Sequence, residues 1–472
     1  MEQITDISIS VDLQQLISAD MAWNYSVIPA EQNADCLSFY IDETALNDTV
    51  KEDLEILTGE NIKLIPVESS VLRRSLGKIY RRSGSAVNNK NNQNLGDKDD
   101  FLLRIVHEAQ SLGSSDIHIE IYEEEARVRI RIDGHLVEKY RVDRDEYPEI
   151  VNKVKIKSNL DISEKRLPQD GRINFPEFDL RVSVLPTLHG EKIVLRILAR
   201  DASQVDLNFL GFDDHEKTEY LEGIKKPNGI VLISGPTGSG KTTTLYATLK
   251  ILNEEKRNIV TVEDPIEYTL KGINQVQLKE NIGLTFSSAL RSFLRQDPDI
   301  IMLGEIRDGE TAQMAIRAAL TGHLVLSTIH TNSAWGTIGR MIDMGVPSYL
   351  LASTINTSVA QRLVRVLCND CKEEIELVQT ELPKDYRNKG LNTHHVPVGC
   401  ESCHFTGYKG RKAVYEVINI DHDLSDRIKE QQLKVDELLQ EKGIKKLNEK
   451  AYNLLSNGVT SLEEVYALLT NI

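Results

Sequence analysis

No stretch of the 472 residues approaches the roughly 18 consecutive apolar side chains of a membrane-spanning helix, and the opening MEQITDISISVD is acidic and polar where a secretion signal begins with basic residues. The expectation is a cytoplasmic protein that meets membranes only through partners. Positive charge is in short supply: 56 Lys and Arg stand against 72 Asp and Glu, a net charge of −16. A protein that tracks nucleic acid carries a clustered basic surface to meet phosphates, so that class is disfavoured. Cysteine is scarce as well, with five in the chain. Cys36 stands alone. The other four form two CxxC pairs, Cys368/Cys371 and Cys400/Cys403, a pattern that in a reducing compartment points to metal and away from disulfides.

What is present is enough chain for several separately cored domains. Residues 83–99, SGSAVNNKNNQNLGDKD, have almost nothing to bury and read as a flexible linker. Upstream, residues 1–82 alternate strand-like stretches (LSFYI, IKLIPV) with helical ones and close on the amphipathic VLRRSLGKIYRR, a small α/β module. From residue 100, Phe101, Leu102, Ile105, Val106 and Ala109 recur at helical spacing. Then Arg127, Arg129 and Arg131 alternate with Val128, Ile130 and Ile132 ahead of Asp133-Gly134, a hairpin signal. Further alternation in DLRVSVL and EKIVLRIL makes 100–200 a half-buried antiparallel sheet with helices on one side, an α+β domain. From about 228, the apolar stretches GIVLIS, NIVTVED, DIIMLGE and HLVLSTIH alternate with helical runs, the rhythm of a parallel doubly wound sheet over 201–365. Residues 366–411 hold the cysteine pairs, and 412–472 read as a mostly helical tail.

Gly235-Pro236-Thr237-Gly238-Ser239-Gly240-Lys241-Thr242 matches the P-loop pattern, directly after a strand and before the helical run TTLYATLKIL. The glycines let backbone amides converge on phosphates, Lys241 reaches the β and γ groups, and Thr242, followed by Thr243, offers a hydroxyl to Mg2+. The site is therefore expected to bind ATP. Glu305 stands at the C-terminal end of the strand in DIIMLGEIRD, where ligands bind in open α/β sheets and a carboxylate can orient the attacking water. Glu263 and Asp264 end another strand, with Glu267 just beyond, as magnesium-holding or nucleophile-positioning acids, or as turn formers. His330 ends a fourth strand and reads either as a core histidine or as a γ-phosphate sensor.

These stretches resemble the secretion ATPase superfamily, specifically its type II secretion and type IV pilus assembly branch. GPTGSGKTTTLYA, TVEDPIEY, LRQDPDIIMLGEIRD, TGHLVLSTIHTN and AQRLVRVLC carry the resemblance, with SSDIHIE, RIDG and RLPQDGRI upstream, over residues 100 to 415. It implies an α/β fold: a RecA-like P-loop domain preceded by an α+β, PAS-like domain and a small N-terminal partner-docking domain, with a zinc-binding insertion and a helical C-terminal tail. It places Lys241, Thr242, Glu263, Glu305 and His330 in the active site of an ATP hydrolase. It also implies a homo-hexamer that drives pseudopilus or pilus assembly and protein secretion, docked on the cytoplasmic domain of an inner-membrane assembly protein and acting on an inner-membrane platform. The short N-terminal region favours type II secretion; pilus extension, and a nucleic-acid translocase sharing the core, are the alternatives. A further implication concerns Arg172 and Arg181. By sequence alone these, like Arg166, are solvated or salt-bridged strand residues, but in the family arginines of this domain reach the nucleotide.

The cysteine pairs are 28 residues apart, a longer gap than the usual tetrahedral Zn2+ pattern. The resemblance supports zinc on Cys368, Cys371, Cys400 and Cys403, since assembly ATPases carry such an insertion. Four thiolates leave no open coordination position, so the expected role is structural.

Overall fold

The computed structural model describes residues 7, 9–10, 13–14, 16–17, 19–33, 36–59, 61–80, 98–176, 178–199, 206–387, 389–432 and 434–470. In the N-terminal module, strands β1 (Val27–Asn33), β2 (Cys36–Asp42) and β3 (Ile62–Val67) form one sheet in that order, β1 antiparallel and β3 parallel to β2. Helices α1 (Ala19–Asn24), α2 (Asp48–Thr58) and α3 (Ser69–Ile79) accompany it, and Ile28, Phe39, Ile41, Leu54 and Leu72 make a core of its own. The linker expected at 83–99 lies outside the described residues as far as 97. Its last two positions already belong to helix α4 (Lys98–Ser111), because the helix runs a turn ahead of its first packed residue, Phe101.

Six antiparallel strands build the next domain: β4 (Asp116–Ile121), β5 (Ala126–Ile132), β6 (His135–Val142), β7 (Gln169–Asn174), β8 (Phe178–Thr187) and β9 (Gly190–Ala199), in the order β6-β5-β4-β9-β8-β7. The Asp133-Gly134 turn joins β5 to β6 with both residues at positive φ, 47° and 89°, the backbone that a two-residue hairpin of this twist requires. One face of the sheet is apolar. Ile117, Ile119, Val128, Ile130, Val182 and Leu195 pack there against α4 and against α5 (Tyr147–Lys157). Period-two alternation consequently puts Asp116 and Glu120 of β4, Arg127, Arg129 and Arg131 of β5, Arg181 of β8 and Arg196 of β9 on the opposite face.

The third unit is a seven-stranded sheet of β10 (Gly229–Ser234), β11 (Ile259–Glu263), β12 (Asn274–Gln277), β13 (Ile300–Leu303), β14 (Leu324–Ile329), β15 (Ile355–Leu367) and β18 (Tyr408–Asn419), ordered β12-β11-β13-β14-β10-β15-β18. All neighbours run parallel except β15 and β18. Helices α6 (Asp214–Lys225) and α7 (Lys241–Leu252) cover one face. The other carries α8 (Phe286–Phe293), α9 (Gly309–Leu320), α10 (Gly336–Asp343) and α11 (Ser348–Thr354), together with α12 (His422–Lys429), α13 (Asp436–Glu441), α14 (Leu447–Ser456) and α15 (Leu462–Thr470). A small ribbon, β16 (Glu373–Glu376) with β17 (Thr393–Val396), projects between β15 and β18. The helical tail expected from 412 therefore begins later. Residues 412–419 complete β18, a strand whose buried run from Ala413 to Ile418 is covered on both faces and so shows no alternation, and β15 itself runs past 365 to Leu367.

Candidate functional site

The P-loop joins β10 to α7 along a path that side chains would block. A Cβ at Gly235, whose φ is 153°, would stand 2.5 Å from the Gln361 carbonyl oxygen, and one at Gly240 would meet Gln361 Nε2 at 2.9 Å. Gln361 of β15 is the loop's floor: its Nε2 donates to the Ser239 carbonyl at 2.8 Å and its Oε1 accepts from Thr244 Oγ1 at 2.8 Å. Pro236, Thr237 and Gly238 are exposed at the crest, Ser239 is buried, and Thr242 is exposed at the start of α7 with Thr243 half-buried behind it. The Lys241 ammonium donates back to the carbonyls of Gly235 at 2.8 Å and Pro236 at 3.0 Å. Burial depresses its pKa; Glu305 opposes that shift and Arg362 adds to it. A phosphate offers the same ammonium charged acceptors in place of two neutral carbonyls.

Glu305 follows β13 in a turn held by Gly304 N–H on the Val262 carbonyl at 2.8 Å and by Thr328 Oγ1 on the Gly304 carbonyl at 2.8 Å. His330 Nε2 lies 3.3 Å from Glu305 Oε2, and Arg307 Nε donates to Glu305 Oε1 at 2.6 Å. Arg307 also reaches Asp264 at 3.8 Å. Lys241, Glu305, His330 and Arg307 thus converge at the carboxyl ends of neighbouring parallel strands, the edge where such sheets bind ligands. Glu263 is held differently. It is buried, Oε1 accepts from Thr261 Oγ1 at 2.5 Å and Gln275 Nε2 at 3.1 Å, and Oε2 accepts from the Tyr246 hydroxyl. Burial, with Glu263 beside it, pushes that phenol's pKa up.

On the antiparallel sheet, Arg172, Arg181 and Arg196 face each other in register across β7, β8 and β9, with Asp116 of β4 next in the row. Arg172 is ion-paired to Asp179, Arg196 Nε donates to Asp116 at 2.9 Å, and Arg131 reaches Asp116 at 3.6 Å. Arg181 and Arg196 both act on Glu267, in the loop after β11: burial raises that carboxyl's pKa and the two arginines hold it back. Arg166 is exposed and pairs with Glu164. Arg196, Gln361 and Arg362 escaped the sequence reading. Each sits in an ordinary strand pattern, and only register or burial separates it from a solvated residue.

The four cysteines come together although the β16–β17 ribbon separates the pairs. Their sulfurs lie within 4.8 Å of one another, with Cys368–Cys400 at 3.9 Å, Cys371–Cys403 at 3.8 Å and Cys400–Cys403 at 3.8 Å. A tetrahedron of zinc–thiolate bonds of about 2.3 Å sets sulfurs about 3.8 Å apart, so the donor set fits that ion. Gly399 N–H donates to Cys371 Sγ at 3.3 Å, while Cys403 Sγ accepts from the Cys400 and Gly407 N–H groups at 3.2 Å each, an arrangement suited to thiolates. As free thiols, Cys368 and Cys371 have their pKa values pushed up by burial, a penalty that a divalent cation removes.

Residues 91–467 match the family described as Type II/IV secretion system protein. The chain is 40% identical to the type IV pilus assembly ATPase PilB of Myxococcus xanthus over 98% of this chain and 87% of that one. It is 40% identical to the type II secretion system ATPase E of Vibrio cholerae over 85% of this chain and 86% of that one. Among solved structures, the Legionella pneumophila ATPase DotB superposes with a TM-score of 0.59 at 22% identity, covering 79% of this chain and 96% of that one, a likeness of fold. The pilus retraction motor PilT with bound ADP superposes with a TM-score of 0.54 at 27% identity, covering 78% and 96%.

Proposed function

The chain belongs to the type II/IV secretion system protein family, and from that premise we propose that it is the cytoplasmic, hexameric ATPase that drives pseudopilus assembly for type II secretion. The observation that carries the reading is the meeting of Glu305 with His330, 3.3 Å apart, at the sheet edge where the P-loop presents Lys241. Lys241 and the loop amides bind the phosphates of ATP, Thr242 contributes to magnesium binding, Glu305 orients the attacking water and His330 reports the γ-phosphate through it. Glu263, clamped by three donors, positions the loop that carries Asp264 and Glu267. Arg172 and Arg181 reach the γ-phosphate when the antiparallel domain closes on the P-loop domain, Arg172 exchanging its Asp179 carboxylate for phosphate oxygens. A structural zinc on Cys368, Cys371, Cys400 and Cys403 closes the module of 366–411, and the N-terminal module of 1–82 docks on an inner-membrane assembly protein. Steady-state phosphate release tests the core of this reading: turnover abolished by Glu305→Gln is expected, and a wild-type ring that binds ATP without releasing phosphate would leave a nucleotide-bound scaffold instead. Elemental analysis of protein purified without chelator is expected to find one zinc per chain.

One observation favours pilus extension as a second reading. Alignments to pilus assembly ATPases of Myxococcus xanthus and Pseudomonas aeruginosa take in 98% and 95% of this chain, N-terminal module included, against 85% for the Vibrio cholerae secretion ATPase. Complementation separates the two: restored secretion in a strain lacking its secretion ATPase supports the first, restored piliation in a strain lacking its pilus ATPase the second.

A further inference from the structure

The segment that follows His330 is fastened from beneath by two buried charges that the nucleotide chemistry above does not use. Arg362 of β15 is 8% exposed, and its Nη2 donates to the carbonyls of Asn332 at 3.0 Å and Thr331 at 3.4 Å while Nη1 donates to the Gln361 carbonyl at 3.0 Å. The same guanidinium lies under the first residue of the P-loop, where a Cβ on Gly235 would stand 3.2 Å from Nη1. Glu416 of β18 is 3% exposed; Oε1 accepts the Ala334 N–H at 2.8 Å and Oε2 accepts the Leu447 N–H, the first of α14, at 3.2 Å. In the β15–β18 register Val414 lies opposite Arg362 and Ala360 opposite Glu416, so the two charges are diagonal neighbours on one face of the sheet. Residues 331–334 are therefore held at one end by the cation and at the other by the anion. The anion's second oxygen leaves the sheet for the C-terminal helices.

Burying two charges is costly, and apolar side chains of similar size would pack a sheet at least as stably. What the charges supply is direction: a guanidinium fixes several carbonyls in one plane, and a carboxylate fixes two N–H groups from separate segments. We propose that Arg362 and Glu416 are positioning residues for ATP hydrolysis, holding segment 331–334 so that His330 stays against Glu305, and that Glu416 passes movement of this segment to α14. Neither touches the phosphates. Ligand-driven displacement of Lys241 from the Gly235 and Pro236 carbonyls moves the loop above Arg362, and Glu416 carries the shift to the α14–α15 pair, whose Leu447, Leu455, Val465 and Leu469 share the sheet's core. Arg365 gives the pair a second tie to β15, its N–H donating to Glu464 Oε2 at 3.0 Å. The inference rests on hydrolysis at this P-loop.

The test uses the full-length protein, phosphate release, and hydrogen exchange with and without magnesium and a non-hydrolysable ATP analogue. Arg362→Gln is expected to lower kcat by about 10- to 100-fold with KM within about threefold, and Arg362→Lys to restore part of that loss, because geometry fails while the phosphate contacts remain. In the wild type, the analogue changes exchange across 447–456; Glu416→Gln binds it within about threefold of wild-type affinity and loses that change. Should Glu416→Gln fail to fold, Leu447→Pro removes the same hydrogen bond from the other side. Proline is tolerated at the first position of a helix, and Lys446 before it already has the extended backbone that proline demands (φ −72°, ψ 160°). Loss of the exchange change is expected there too. Its persistence in the folded variant, its absence in the wild type, or full turnover by Arg362→Gln would overturn the proposal. A wild type that hydrolyses ATP while 447–456 stays unresponsive sinks this inference alone, whereas one that binds ATP and never releases phosphate sinks the hydrolysis it rests on.

Discussion

The nucleotide edge of the parallel sheet and the charged face of the antiparallel sheet hold their functional groups in opposite ways. At the first, backbone geometry does most of the placing: the glycine path fixes the loop, the strand end presents Glu305 to Arg307 and His330, and Lys241 rests on neutral carbonyls that a phosphate readily replaces. At the second, the cations are already paired, Arg172 to Asp179, Arg196 to Asp116, and Arg127 and Arg129 to Glu120. A preset site needs only its ligand. A paired site contributes only when something outbids the existing partner, so on the proposed function the second region would make hydrolysis conditional on domain movement.

The sharpest break between the two regions, and the largest effect, lies within the preset site. Lys241→Ala is expected to lose nucleotide affinity, whereas Glu305→Gln keeps it within about threefold and loses turnover by about 10³-fold or more, since on the proposed function only the second removes the carboxylate that orients the attacking water. Nucleotide titration beside phosphate release checks this, and equal loss of binding in both would refute the division of roles. Next come the arginines. Arg172→Ala and Arg181→Ala are expected to lower kcat by about 10²- to 10³-fold with ATP binding nearly unchanged, because on the proposed function they meet the phosphate only on closure. Wild-type turnover in both would mean that neither arginine meets the phosphate.

A stability measurement probes the paired face directly. Glu120 is buried, which alone would raise its pKa, but Arg129 and Lys192 more than offset that and hold it down to about 2. A carboxyl depressed in the folded state contributes stability that is present above its unfolded pKa and lost as pH falls through its folded one. Glu120→Gln should therefore destabilise the protein by about 1–3 kcal/mol at neutral pH, and thermal melts of the two should converge between about pH 4.5 and pH 2. A gap independent of pH would mean that the mutation acts through packing.

The two regions also differ in how far the sequence discloses them. GIVLIS, IVTVE, DIIML and LVLSTI stand out as β10, β11, β13 and β14 because parallel strands buried on both faces are continuous apolar runs, and the P-loop needs glycine where its backbone touches Gln361. The arginines of β7 to β9 were visible as residues, but their row depends on register, which no local pattern specifies for Arg196. Most hidden is the floor of the site. Arg362 and Glu416 lie on antiparallel neighbours with the whole cysteine module between them in sequence, and an arginine in QRLVRVL looks like one end of a solvated alternation until residues 331–332 close over it.

The smallest expected effect tests the link between the regions. Glu267 sits in the loop after β11, its N–H on the Tyr246 hydroxyl at 3.4 Å and its carboxylate within reach of the charges of Arg181 and Arg196. If it holds the arginines in their waiting position, it competes with phosphate for them. A charge attraction short of direct contact, between a half-buried carboxylate and partly exposed arginines, is worth at most about 1 kcal/mol, so Glu267→Gln should raise turnover at subsaturating ATP by up to about fivefold. If Glu267 instead serves magnesium, the same variant should lose activity. The pH dependence separates a charge effect from a steric one. Burial raises the Glu267 pKa, so the wild-type carboxyl takes up its proton earlier than an ordinary glutamate as the medium is acidified. The advantage of the glutamine variant should be greatest where Glu267 is ionised and shrink as pH falls through that raised pKa, the wild type then carrying a neutral side chain as well. An advantage that persists unchanged at low pH would show that the arginines are held back by shape and not by charge.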